Sequence, residues 1–302
     1  MLWHRIAAAT ALWIALLCPA ARANANSLVD ALGPRELALG ESMRADATGS
    51  LATTLNPAGL PLSRSLVLET GYGYRPDDGA SLVAVSACDS TVPVPGCFYY
   101  HYFRASPDVG GVDVRRRSHE VGYVIARRVG SFVFGAKYKY FDYNFSPASA
   151  GDDDASGHAA DFGMTFVAGD SVRVGVVSYN LVSTADSPQY PRAFGGGLVV
   201  RPAPSLSIAV DAAWNTDLPD GQDTGRYSGG VEYFIVAANR QAGYPLRAGV
   251  VYDDTGDRTY ATGGLGYVTP KVGIDIGVRK QVGGDGDELL VVGSLRLFAP
   301  QQ

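Results

Sequence analysis

Three histidines, His101, His119 and His158, follow the opening apolar segment, and with them the search for catalytic chemistry begins and ends. Ser118 and His119 are adjacent, and neighbours on a strand point to opposite faces, so they form no serine–histidine couple. None of the three sits in a nucleophile motif, and the chain reads as a non-enzyme without a cofactor. Asp152, Asp153 and Asp154 could gather calcium, but acids in such a loop read first as a solvated tip. Cys88 and Cys97 bracket the run CDSTVPVPGC, and two such cysteines in an exported chain are expected to close a small disulfide loop. Zinc would need further ligands at the right spacing; none stand there, so no metal is expected.

The remaining ionisable groups recur on one side of alternating runs. Glu69, Glu120, Lys137, Lys139, Asp161, Arg173, Asp211, Glu232, Arg247, Asp275, Arg279 and Arg296 share this placement. Opposite them lie apolar residues: Val272, Ile274, Ile276 and Val278 oppose Gly273, Asp275, Gly277 and Arg279. Leu206, Ile208, Val210, Ala212 and Trp214 oppose Ser207, Ala209, Asp211 and Ala213 in the same way. Period-2 alternation of this kind is the mark of strands.

Fourteen such segments follow one another, near 64–74, 80–88, 97–105, 118–128, 131–144, 159–168, 171–182, 192–201, 204–215, 226–237, 244–253, 258–268, 271–281 and 288–298. Very short turns such as Arg128-Val129-Gly130 and Ala168-Gly169-Asp170 alternate with long polar loops such as SPASAGDDDASG and NTDLPDGQDTG. An even strand number, with short connections at one end and long ones at the other, predicts a transmembrane antiparallel β-barrel with lipid outside and polar groups inside. A soluble barrel would pack its large apolar residues inward. Aromatic residues near strand ends, among them Tyr72, Tyr74, Tyr138, Tyr140, Trp214, Tyr252, Tyr267 and Phe298, suit a lipid–water boundary. The twelve ionisable residues should then line the lumen. Acids and bases are mixed among them, so a cross-lumen network is expected, with individually hydrated groups as the other reading.

Met1 to Ala25 has the basic start, apolar run and small-residue end of a secretory signal. The expected organisation is signal 1–25, an amino-terminal plug 26–63, barrel 64–298 and tail 299–302. The plug does not alternate. Pro34 suits a first helical position, with a helix over Arg35 to Met43 and a second turn over Gly49 to Leu55, stopped by Asn56-Pro57. Asn56 can also cap local amides. Inward glycines such as Gly71, Gly135, Gly163, Gly175, Gly230, Gly249, Gly273 and Gly277 leave room that this segment could fill.

The run GESMRADATGSLATTLNPAGL, with Asn56, Pro57, Ala58, Gly59 and Leu60 at its end, resembles the amino-terminal signature of FadL-type transporters and PorV-type outer-membrane proteins. Gly40, Ala45, Ala47 and Ala52 fit its small-residue pattern; Thr48-Gly49 stand where acids often precede the turn. The resemblance implies fourteen strands, a lumenal hatch, and Asn56 to Leu60 as hatch and gate residues. It implies location in the bacterial outer membrane and a channel for small apolar or amphipathic molecules. The alternative within the same superfamily is a PorV-like scaffold with a closed lumen that holds a secretion or assembly partner. Expected partners are outer-membrane lipids and either a small hydrophobic ligand or a protein. A net charge of −5 without a basic stripe argues against nucleic acid.

Overall fold

The computed structural model describes residues 32–109, 112–146, 154–185, 190–216, 224–238 and 241–299. The expected signal 1–25, residues 26–31 of the plug, Asp152 and Asp153, and the tail residues 300–302 lie outside the described residues.

Each alternating run forms a strand. They are β1 (Leu66–Arg75), β2 (Ala80–Asp89), β3 (Gly96–Ala105), β6 (Arg115–Val129), β7 (Phe132–Ser146), β8 (Ala155–Ala168) and β9 (Val172–Ser183). The series continues with β10 (Ala193–Ala203), β11 (Leu206–Asn215), β12 (Thr224–Val236), β13 (Gly243–Asp253), β14 (Arg258–Val268), β15 (Val272–Gly283) and β16 (Leu289–Phe298). Two short strands, β4 (Asp108–Val109) and β5 (Val112–Asp113), make a separate ribbon in the connection from β3 to β6. The fourteen longer strands pair antiparallel with their neighbours, and β1 pairs with β16 to close the barrel. Closure satisfies every ladder and leaves no edge, which is what a strand structure in lipid requires.

The faces follow the alternation. Ile274 and Ile276 are exposed on the outside, while Asp275 and Arg279 between and beyond them are buried inside. Val210 is 52% exposed; its neighbour Asp211 is 6% exposed. Among the described residues no helix is long and apolar enough to cross a membrane; the outward apolar band belongs to the strands. Phe298 departs from the expected boundary role: it packs inward against the cluster of Val67, Cys88, Cys97 and Tyr99, because Val67 is its cross-strand partner on the lumenal face. Cys88 and Cys97 are opposite each other on β2 and β3 and are disulfide-bonded. At the short-loop end, Gly130 and Gly169 take φ values of 61° and 68°, a turn geometry that glycine adopts without strain.

The plug is less helical than its sequence predicts. Helix α1 (Pro34–Ala38) starts on proline, and the Glu36 side chain accepts from the Gly33 amide at 2.6 Å. It stops at Ala38, and does not run on to Met43. Gly40, Glu41 and Met43 take φ values of 66°, 61° and 103° as the chain turns along the wall, and a Cβ on Gly40 would stand 2.6 Å from the Val250 carbonyl. A 3-10 turn (Arg44–Asp46), helix α2 (Leu51–Thr54) and a second 3-10 turn (Pro57–Leu62) complete the segment. Leu32, Leu37, Leu39, Met43, Leu51 and Leu55 form its buried core with Val199, Leu290 and Val292 of the wall. The barrel interior is therefore packed, and its packing partner is its own amino terminus.

Candidate functional site

Asn56 carries the turn that joins hatch to barrel. Its Oδ1 accepts from the Ala58 amide at 3.0 Å, while Nδ2 donates to the Arg44 carbonyl at 2.8 Å and to Thr165 Oγ1 at 3.3 Å. One fully buried side chain thus caps the turn, holds the preceding segment and touches β8. Pro57 lies against Gly135 and Gly163, Ala58 packs with Val133 and Val167, and Gly59 presses on the Ala47 carbonyl, where a Cβ would collide. Leu60 is buried against the disulfide cluster.

All twelve ionisable residues named from the sequence face the lumen, and the hatch supplies partners for half of them. Arg35 grips Glu232 through Nη2 at 3.0 Å and Nε at 3.2 Å. Arg44 pairs with Asp211 at 3.1 Å and donates to Tyr179, whose hydroxyl donates to the Leu55 carbonyl. Asp46 bridges Arg173 and Arg201. Glu41 binds Arg226 at 2.5 Å and Arg279 at 2.6 Å. Lys137 donates to the Thr53 carbonyl, and Glu69 accepts from Ser50. The others pair within the wall: Lys137 and Lys139 with Asp161, Lys137 with Glu120, Arg247 with Glu232 and Asp275, and Arg296 with Asp275. Glu69 and Arg296 are cross-strand neighbours, as barrel closure predicts, yet their side chains turn to different partners.

The residues that sequence reasoning missed are the hatch charges Arg35, Glu36, Glu41, Arg44 and Asp46, with Arg201 and Arg226 of the wall. Their signal was present: five charges inside a leucine-rich segment must be paired once it is enclosed.

The seat of the hatch is made of glycine. Gly135 faces Gly163, Gly175 faces Gly197, Gly230 faces Gly249, and Gly264 faces Gly277, each pair directly across two strands. Hatch backbone presses on at least one glycine of each pair, through Pro57 on Gly135, Ala45 on Gly175, Leu39 on Gly230 and Gly249, and Pro34 on Gly277. A Cβ on Gly175 would come within 2.7 Å of the Ala45 Cα, and one on Gly249 within 2.6 Å of the Leu39 carbonyl carbon. From β7 round to β15, these glycines leave room for the hatch backbone, and Lys137, Tyr179 and Thr262 beside them donate to its carbonyls.

The sector β16, β1, β2 and β3 is different. Ser294, Gly71, Ala84 and His101 form one cross-strand row, and a Cβ on Gly71 would meet only ordinary van der Waals neighbours. The row faces Glu36, and between them lies a cavity with ≈ 20 Å³ of space for water centres, room for about one or two waters. Burial raises the Glu36 carboxyl to about 7, with the charge of Glu69 adding to it against the hydrogen bond from Gly33. Glu41 shows the opposite outcome: burial disfavours its charge, but Arg226 and Arg279 outweigh it and hold the carboxyl at about 2. Among the described residues Glu36 is the one buried carboxylate without a basic partner.

No family model and no curated protein sequence matches the chain. Solved structures do. The CymD monoaromatic hydrocarbon channel matches with a TM-score of 0.72 at 15% identity, over 90% of this chain and 98% of its own. The toluene transporter TbuX of Ralstonia pickettii gives 0.68 at 14% identity, covering 90% and 99%. A Pseudomonas aeruginosa FadL homologue gives 0.63 at 14% identity, covering 87% and 97%. At these identities the likeness is one of fold, and the chain has the fold of the FadL-type channels.

Proposed function

We propose that this protein is an outer-membrane channel that admits small apolar or amphipathic molecules, with the segment ending at Asn56 to Leu60 as its gate. The observation that carries the reading is the mode of closure. The lumen is shut by a segment of the chain itself, seated on bare backbone and tied by ion pairs and hydrogen bonds. Apolar contacts of the hatch with Val199, Leu290 and Val292 add to these ties, and opening exchanges both for water. The fold likeness to structures named as monoaromatic hydrocarbon channels supports the same reading. The hatch backbone at Pro57 and Ala58 meets the wall directly at Gly135, so a tilt about the Asn56 turn opens a path beside it.

Uptake of radiolabelled toluene by Gram-negative cells producing the protein, compared with cells carrying an empty vector, tests the proposal. A protein-dependent rise in uptake that falls on replacing Asn56 and Pro57 by Ala, with heat-modifiable gel migration unchanged, is expected. Uptake equal to the vector control would overturn it, and a stoichiometric protein partner co-purifying with an inactive barrel would point to the scaffold.

A further inference from the structure

Buried polar atoms are almost always hydrogen-bonded. Here Glu36 Oε2, Ser86 Oγ, His101 Nδ1 and Ser294 Oγ lack a protein partner, although each residue is at least nine-tenths buried. All four residues line the same cavity between α1 and the sector β16, β1, β2 and β3. Leu32, Leu82 and Val292 supply its apolar surface, and Ser50, Thr53, Thr54 and Glu69 also line it. Gly71 and Ala84, between Ser294 and His101 in that row, keep the wall concave where the polar atoms converge.

We infer that this cavity is a selectivity site for molecules that carry a hydroxyl on a small apolar body, such as a phenol, in preference to plain hydrocarbons. The inference rests on the channel reading and names its substrate class. In the closed arrangement the cavity is of water size, and as the hatch tilts it widens between Leu32 of the hatch and Leu82 and Val292 of the wall. A hydroxyl donates to Glu36 or His101 and accepts from Ser86 or Ser294, while its ring covers the leucine and valine surface. A plain hydrocarbon fills the same space but leaves four buried polar atoms unpaired, which disfavours it. An acyl carboxylate fares worse, because Glu36 and Glu69 both face the cavity and no lysine or arginine lines it. Metal capture does not compete: no group of His, Cys, Asp and Glu among the described residues could hold an ion.

Calorimetric titration of the purified full chain in detergent with phenol, anisole and toluene tests the site. Anisole keeps the ring and oxygen of phenol but has no proton to donate. Phenol is expected to bind at least about fivefold more tightly than anisole or toluene, the factor that one neutral hydrogen bond supplies. Glu36→Leu with His101→Phe, which removes both acceptors of the phenol proton, should bring the phenol-to-anisole ratio close to one, whereas Ser86→Ala with Ser294→Ala should weaken phenol and anisole alike. Gly71→Val, which fills the concavity from the strand side, should abolish phenol binding in a barrel whose heat-modifiable migration is unchanged. Equal affinity for phenol and anisole, or a ratio unmoved by loss of the two acceptors, overturns the inference. Cellular uptake of toluene and phenol reports separately on the channel: uptake of both without preference sinks only the selectivity site, and uptake of neither sinks the channel.

Discussion

The hatch meets two unlike walls. From β7 to β15 it rests on paired glycines and is tied by Arg35, Glu41, Arg44 and Asp46, each with a partner on the barrel. Toward β16, β1, β2 and β3 its polar atoms face a cavity, and its buried Glu36 has no cation. Both walls come from the same alternating strands, so strand pattern does not make the difference. What differs is where side chains have been removed. On the first wall glycine lets backbone meet backbone, which anchors; on the second, Gly71 opens space that the hatch does not fill. On the proposed gating, release begins at the second wall, where Ser50 on Glu69 and Leu60 on the disulfide cluster are the ties to break.

The contrast is most directly broken at Arg44. Arg44→Met leaves Asp211 as a buried carboxylate without its cation, at a cost of about 3–5 kcal/mol to hatch docking. Hydrogen exchange across residues 34–62 should become fast while the barrel amides stay protected; slow exchange in the variant would mean that the anchored side does not depend on this pair.

A second test uses pH on the loose side. The Glu36 carboxyl stands near 7 in the docked hatch against an ordinary value of 4.5. The docked state therefore holds a proton that the released hatch gives up, and the stability this confers is full below about 4.5 and is lost as pH rises through 7. The difference corresponds to about 3 kcal/mol. The groups that face Glu36 are Glu69 of β1 and His101 of β3, with Arg35 beside it on its own helix. Hatch protection should fall between pH 5 and 8, and Glu36→Gln should flatten the profile; a flat profile in the parent chain would refute the assignment.

Glycine replacements compare the walls at matched cost in chemistry. Gly249→Val should weaken docking by about 1–3 kcal/mol, because Leu39 and Gly40 have no room to retreat. Gly71→Val should change docking by less than about 0.5 kcal/mol. Similar losses in the two variants, read by protease cleavage of the hatch, would erase the distinction between the walls. An effect between those two is expected at the pivot: Asn56→Ala removes one cap and two bonds to neighbouring groups, about 1–2 kcal/mol, seen as faster exchange confined to residues 44–60.

Strand number, the lipid and lumen faces and the presence of a filled lumen were legible from the chain because each depends on local alternation and composition. Ile274 and Asp275 differ in environment as their positions predict. The stop of α1 at Ala38 was not read from the sequence, although Gly40 is its local signal: at φ 66° it closes the helix end, with the Glu41 amide on the Glu36 carbonyl at 2.7 Å and its own amide on the Leu37 carbonyl at 3.2 Å. Nor was the choice of partner by Glu69 and Arg296: register makes them neighbours, but side-chain competition from Ser50 and Asp275 decides the contact.

The sequence by itself determined that this chain closes into a barrel, which residues face inward, and that Asn56-Pro57 ends the segment inside it. Period-2 patterning and proline geometry are local properties, fixed before any long-range contact forms. Only the tertiary structure decided which glycines meet the hatch, that Arg44 finds Asp211, and that Glu36, Ser86, His101 and Ser294 share one cavity. Those pairings join residues far apart in the chain, and the register of fourteen closed strands, not the neighbourhood of any one residue, brings them together.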